Sequence, residues 1–161
     1  MATDRIIIHK AIAPTFITGL QNALASTSDP ASPPPTLVSV ASKARVQAMI
    51  SSAIASGAHI IHGTFDSESS NSPKEESDVR LAPVILGGVS EDMLVWQDES
   101  FASLASCMIV NDDEEAVRIA NKGGYGLSAA VFTEDLRKGL SLARKIESGY
   151  VNEASFRTEY Y

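Results

Sequence analysis

The chain has a single cysteine, Cys107, among 161 residues. One cysteine excludes an internal disulfide framework and any multi-cysteine zinc site. Long hydrophobic runs are missing too: no segment approaches the roughly 20 apolar residues that span a bilayer, and the N-terminal MATDRIIIHK contains no stretch of signal-peptide length. The expectation is a soluble, cytoplasmic protein with no membrane partner. Basic residues are in short supply, with 13 Lys and Arg against 20 Asp and Glu, a net charge of −7. That balance disfavours nucleic acid and anionic membranes as partners, since both need a positive surface. Lys138, Arg144 and Lys145 are interleaved with acids and read as a solvated helix face.

The composition is that of a globular protein, and the length suits one domain with a sizeable core. Arg5–His9 is β-branched and predicts a buried strand. Pro14 then opens a helix carrying Phe16, Ile17, Leu20 and Leu24 at helical spacing. Residues 26–36, with four prolines, predict a loop. From Ser42 to Ser56, Val46, Met49, Ile50, Ala53 and Ile54 make one apolar stripe, and Gly57 is its stop. Ala58–His62 is the next strand candidate, and residues 64–77 are polar and acidic enough to predict a surface insertion.

The core resumes at Leu81–Val89, where Pro83 argues for an edge or a strand start. Leu104–Val110 is a further strand. The most informative stretch, 120–149, follows a helix started by Asp112 with Glu115 three residues on. It predicts a helix end, a turn at Gly123-Gly124-Tyr125-Gly126, a buried strand at Ala129–Phe132 and a helix over Asp135–Ser148. Leu136, Leu140, Leu142, Ala143 and Ile146 would be the buried side of that helix. Alternating strands and helices imply an α/β fold: a layered, largely parallel sheet with flanking helices.

Few residues offer chemistry. Cys107 lies among apolar residues with no cation nearby in sequence to lower its pKa, and reads as a small buried hydrophobe. His9, His59 and His62 are the only imidazoles. A spacing of three on a strand puts His59 and His62 on opposite faces, and no third ligand is evident, so no metal is expected. Triads assemble in space, which leaves a Ser–His–Asp site open, but no G-x-S-x-G elbow supports one. The glycine-rich turn has a helix before it and a strand after it, the reverse of a dinucleotide fingerprint. Asp98-Glu99 stand between Trp96 and Phe101. Such acids hold a ribose hydroxyl, act as a base, or are simply solvated.

Taken in order, several segments resemble the NAD(P)-dependent aldehyde dehydrogenases. Met1–Ile8 is similar to the family segment C-M-S-T-x-R-[IV], beginning just after its cysteine. Leu37–Ala58 is similar to LV-x…RV-x-x-x-I-x-x-A-x-x-x-GA, and Leu81–Leu86 with Val89 and Met93 to PTVL-x-x-V-x-x-x-M. Trp96–Phe101 resembles x-x-EE-x-F-G-P, and 120–149 a segment near the end of the family's catalytic domain. The resemblance implies that 1–151 is part of such a catalytic domain, with 152–161 a divergent tail. It implies that Glu99 holds the ribose on the nicotinamide side of NAD or NADP, and that Phe101 lies beside the nicotinamide ring.

It also implies departures. The family's nucleophilic cysteine aligns just before Met1, so no catalytic residue is assigned, and Cys107 cannot inherit the role by position. The dinucleotide domain, the oxyanion asparagine and the general-base glutamate align further upstream. Ala102-Ser103 replace the Gly-Pro of the pattern. The expectation is a truncated aldehyde dehydrogenase-like protein that does not sustain aldehyde oxidation alone and needs no cofactor alone. Two alternatives stand beside it. One is a repurposed isomerase, cyclase or hydrolase of a biosynthetic, fungal secondary-metabolite pathway, with Glu99, Trp96 and the histidines as its groups. The other is an interaction protein that self-associates or binds a partner through surface the missing domain exposes.

Overall fold

A computed structural model describes residues 3–27, 32–65, 79–124 and 126–154. Most of the expected insertion at 64–77, the middle of the proline-rich loop, Tyr125 of the glycine turn and residues 155–161 of the expected tail lie outside them. The chain divides into two compact units, residues 1–109 and 110–161.

In the first unit, β1 (Arg5–His9), β2 (His59–His62), β3 (Val84–Gly87) and β4 (Leu104–Val110) form one sheet in the order β1-β4-β3-β2. β3 and β4 are parallel, with Val84 opposite Leu104 and Leu86 opposite Ser106, whereas β2 runs antiparallel to β3. β4 sits between two neighbours, and Leu104 to Met108 are all buried. A strand covered on both faces reads as a continuous apolar run rather than an alternation. That is why LASCMIV is legible as a strand and uninformative about which side faces what.

Pro83 marks a strand start and not an edge. β3 is an interior strand, and its ladder begins at Val84, whose N–H donates to Ser103 O at 2.9 Å. β1 is the edge strand on one side and is only half-buried, with Ile8 its one fully buried residue.

Three helices complete this unit. α1 (Ala13–Thr27) starts one residue before Pro14 and runs one residue past the expected loop start at Ser26. It sets Ala13 and Ile17 against Ile8, Ile61 and Cys107, and Gln21 Nε2 donates to Ile61 O at 2.9 Å. α2 (Val40–Ala55) is capped by Ser39, whose hydroxyl accepts from Ser42 N, and it buries Val46, Met49, Ile50 and Ala53. Ile54, expected in that stripe, is exposed. α3 (Leu94–Gln97) is a single turn that buries Val95 and Trp96 and packs on α2. Beyond the proline-rich segment, Thr36 bridges Arg80, and Leu37 N–H donates to Val79 O at 2.9 Å.

The second unit contains α4 (Asp113–Asn121), β5 (Ala129–Phe132), α5 (Leu136–Ala143) and β6 (Val151–Ala154). β5 and β6 pair in parallel, Ala129 with Val151 through Phe132 with Ala154, so 152–154 continue the sheet. Asp112 caps α4 by accepting from Glu115 N at 2.8 Å, while Glu115 Oε2 reaches back to Asn111 N at 2.7 Å. Replacing Asp112 by alanine is expected to cost about 1 kcal/mol of stability, read as a lowered urea midpoint. An unchanged midpoint would show that α4 frays without consequence.

α5 is shorter than the periodicity predicts. Asn121 captures the chain beyond it, donating to Lys145 O at 2.7 Å and accepting from Glu147 N at 2.9 Å. Lys145 and Ile146 then bond three residues back rather than four, which ends regular α-helix. The expected buried side is not buried as a whole. Leu136 and Leu140 are exposed, and so is Phe132 of the supposedly buried β5.

Candidate functional site

Four of the residues that the sequence singles out, Trp96, Asp98, Glu99 and Phe101, lie at the end of α3 and in the connection from it to β4. Trp96 is 2% exposed, with Arg5 of β1 lying over its ring, the guanidinium carbon 5.1 Å from the ring centroid. Arg5 also donates to the Trp96 carbonyl. After Trp96 the helix ends at Asp98, whose N–H donates to Leu94 O. Glu99 is exposed, Ser100 is buried and Phe101 is 78% exposed, so a buried serine anchors two outward neighbours. Phe101 has φ of 50°, the left-handed region that L-residues enter at a cost. The sequence carries no glycine there to signal it.

Two side chains from outside this connection fix it. Arg45, from α2, donates through Nη2 to Glu99 O at 3.1 Å and to Ser100 O at 2.7 Å. Asp4, one residue before β1, accepts through Oδ1 from Ser100 Oγ at 2.7 Å and from Ser100 N at 3.4 Å. The Asp4 carbonyl accepts from Ser106 N of β4 at 2.9 Å. Ser100 Oγ also accepts from Ala102 N at 3.3 Å. Asp4 and Ser100 are not marked by sequence, whereas Arg45 is the arginine of the RV in the pattern that Leu37–Ala58 resembles, a pattern that does not say what the arginine holds. The one signal at Asp4 is an aspartate before a β-branched run, a charge where a core begins.

The other candidates do not join this site. Cys107 is 2% exposed in the middle of β4, and burial pushes its thiol from 9.0 up to about 11. A nucleophilic cysteine needs the thiolate, which the fold here disfavours. Because the folded pKa lies above the unfolded one, the thiol contributes stability that is fully present below pH 9 and lost by pH 11. The loss is about 2–3 kcal/mol. Urea midpoints at pH about 8 and about 11 should therefore converge less in wild type than in Cys107→Ala, and equal pH dependence would refute the burial argument.

His9 and the pair His59 and His62 stand on the two opposite edges of the sheet. His9 Nδ1 accepts from Ala11 N, and the His59 ring lies over Gly87 and Gly88, where a Cβ would meet it. A register shift between Ile60 and His62 interrupts the alternation that the spacing argument assumed. Among the described residues no three His, Cys, Asp or Glu side chains are grouped to hold a metal ion. Trp96, offered as a chemical group by the repurposed-enzyme alternative, is inside the unit and structural.

A family model described as the aldehyde dehydrogenase family matches residues 1–159. The chain belongs to the aldehyde dehydrogenase family. It is similar to the vanillin dehydrogenase of Pseudomonas sp. (strain HR199 / DSM 7063), 30% identical over 155 residues that are 92% of this chain and 30% of that protein. Its fold matches the crystal structure of succinate-semialdehyde dehydrogenase from Burkholderia pseudomallei with a TM-score of 0.80 at 25% identity, covering 95% of this chain and 31% of that one. An indole-3-acetaldehyde dehydrogenase crystallised with NAD+ matches with a TM-score of 0.78 at 27% identity, over 95% of this chain and 31% of that one. The chain thus spans under a third of the length of these dehydrogenases. No helix among the described residues is long and apolar enough to cross a membrane.

Proposed function

We propose that these residues are the nicotinamide-side portion of an NAD(P)-dependent aldehyde dehydrogenase catalytic domain. One observation carries the reading: an exposed carboxylate and an exposed aromatic ring stand two residues apart on a backbone anchored by Arg45 of α2 and by Asp4, whose own carbonyl is held from β4. Two adjacent ribose hydroxyls need a charged acceptor, and Glu99 provides one. A flat heteroaromatic ring needs a flat apolar neighbour, and Phe101 provides that. When bound, NAD or NADP supplies the hydride acceptor, and the residues of this chain bind and orient its nicotinamide end. The residues fit that part of the cofactor.

They do not supply the reacting centre. The single thiol is buried with a raised pKa, so these 161 residues do not sustain aldehyde oxidation by themselves. The purified chain, given NAD or NADP and a panel of aliphatic and aromatic aldehydes, is expected to form reduced cofactor no faster than the protein-free mixture. Turnover above that background would overturn this half of the reading. Nicotinamide mononucleotide added to the 15N-labelled chain tests the other half. It should shift the amide resonances of residues 99–102, and Glu99→Ala should weaken that response about tenfold. No shift anywhere in 99–102 would overturn the assignment of Glu99 and Phe101.

A second reading, an interaction role, rests on a different observation. Leu127, Phe132, Leu136, Leu140 and Tyr150 of the second unit are all exposed. Sedimentation should show concentration-dependent self-association of the purified chain, and a monomer at every concentration would count against it.

A further inference from the structure

We propose that Asp4, Ser100 and Arg45 are positioning residues that hold the Glu99–Phe101 turn in its presenting conformation, with Asp4 locking that turn to the start of β1. The clamp itself stands on geometry alone. Its consequence for the cofactor rests on the proposed roles of Glu99 and Phe101.

The turn needs a clamp because its backbone is not at rest. Phe101 sits at φ 50° with its side chain 78% exposed, so burial of its own ring does not hold it there. The restraint comes from both sides of it. Upstream, Arg45 joins the carbonyls of Glu99 and Ser100 with one guanidinium, and charge-assisted bonds of this kind are the strong ones. At the centre, the buried Ser100 hydroxyl donates to Asp4 and accepts from Ala102, so a single oxygen ties the residues on either side of Phe101. Asp4 is itself fixed, because its carbonyl takes the N–H of Ser106 in the interior strand.

The motif does not require this pair. In the patterns that Met1–Ile8 and Trp96–Phe101 resemble, Asp4 and Ser100 both fall on unspecified positions. The Gly-Pro of the second pattern is replaced by Ala102-Ser103. The hydrogen bond from Ala102 N to Ser100 Oγ shows how a turn without that glycine is held. Asp4 belongs to the segment similar to the one that follows the family's nucleophile. The Asp4–Ser100 contact therefore joins a nucleophile-side segment to a cofactor-side turn, two elements whose relative placement a hydride transfer depends on.

The test is 15N relaxation on the full chain with Arg45→Met, Ser100→Ala, Asp4→Ala and Asp4→Asn. In wild type the amides of residues 99–102 should show order parameters near about 0.85, and in the first three variants values below about 0.6, while β4 amides stay unchanged. Asp4→Asn keeps an acceptor oxygen and should restore the rigid turn. The response of residues 99–102 to nicotinamide mononucleotide should weaken about tenfold in the mobile variants and return in Asp4→Asn. Three results would overturn the clamp: a mobile turn in wild type, a turn as rigid in Arg45→Met and Ser100→Ala as in wild type, or loosening shared equally by β4. If a truncating variant fails to fold, Arg45→Lys, whose ammonium ends one bond short of the Nη2 that reaches both carbonyls, gives the same reading by a graded loss of order. A rigid wild-type turn that ignores the nucleotide leaves the clamp standing and removes the cofactor reading instead.

Discussion

Trp96→Ala is expected to lower stability by about 3–5 kcal/mol, the cost of emptying a large aromatic site in a packed interior. Against a typical total of about 5–15 kcal/mol, that brings the first unit close to unfolding at room temperature. The ring is 2% exposed, so nearly all of its area is lost from the core on truncation. It also supports Arg5, whose guanidinium lies over the ring and donates to the Trp96 carbonyl.

Phenylalanine at the same place should behave differently. The indole Nε1 is buried and has no hydrogen-bond acceptor among the described residues. Removing an unpaired buried donor recovers part of what the smaller ring loses. Trp96→Phe should therefore cost about 1 kcal/mol, far less than alanine. Equal losses for the two variants, measured as urea midpoints, would mean that the indole N–H has a partner.

The parts of the fold that the sequence revealed are those with a local cause. LASCMIV declares a covered strand because every position is apolar or small. The Asp112 cap is legible because a short acceptor before a helix has one use. Gly57, with φ of 102°, marks the end of α2 for the same kind of reason. What was misread depends on partners distant in sequence. The length of α5 is set by Asn121, at least 15 residues before its helix begins, and no periodicity reports that capture. Leu136 and Leu140 obey a helical spacing yet are exposed, because spacing shows which residues share a face and not what covers that face.

The candidate site divides in the same way. Glu99 and Phe101 were found through a motif, and the turn that presents them was not. Its clamps come from residues 4 and 45, separated by 96 and 55 positions from the serine they hold. Cys107 shows the converse: its apolar neighbours in sequence were enough to argue burial, and burial is what raises its pKa.

The same chemical change should have opposite effects at two glycines. Gly63→Ala is expected to cost about 3 kcal/mol or more, and Gly19→Ala to gain up to about 1 kcal/mol. Gly63 leaves β2 with φ of 91°, and a Cβ there would lie 2.1 Å from the carbonyl oxygen of Pro83. That contact is with backbone, so no rotamer change relieves it. The Pro83 carbonyl precedes Val84, the residue at which the β3 ladder begins, and moving it disturbs the pairing of an interior strand with both neighbours. Gly19 lies within α1 with nothing within 4 Å of an added Cβ. Alanine there removes unfolded-state entropy without a clash. Thermal and urea unfolding of the two variants should move in opposite directions from wild type. A Gly63→Ala protein as stable as wild type would mean that β2 leaves the sheet by a different route.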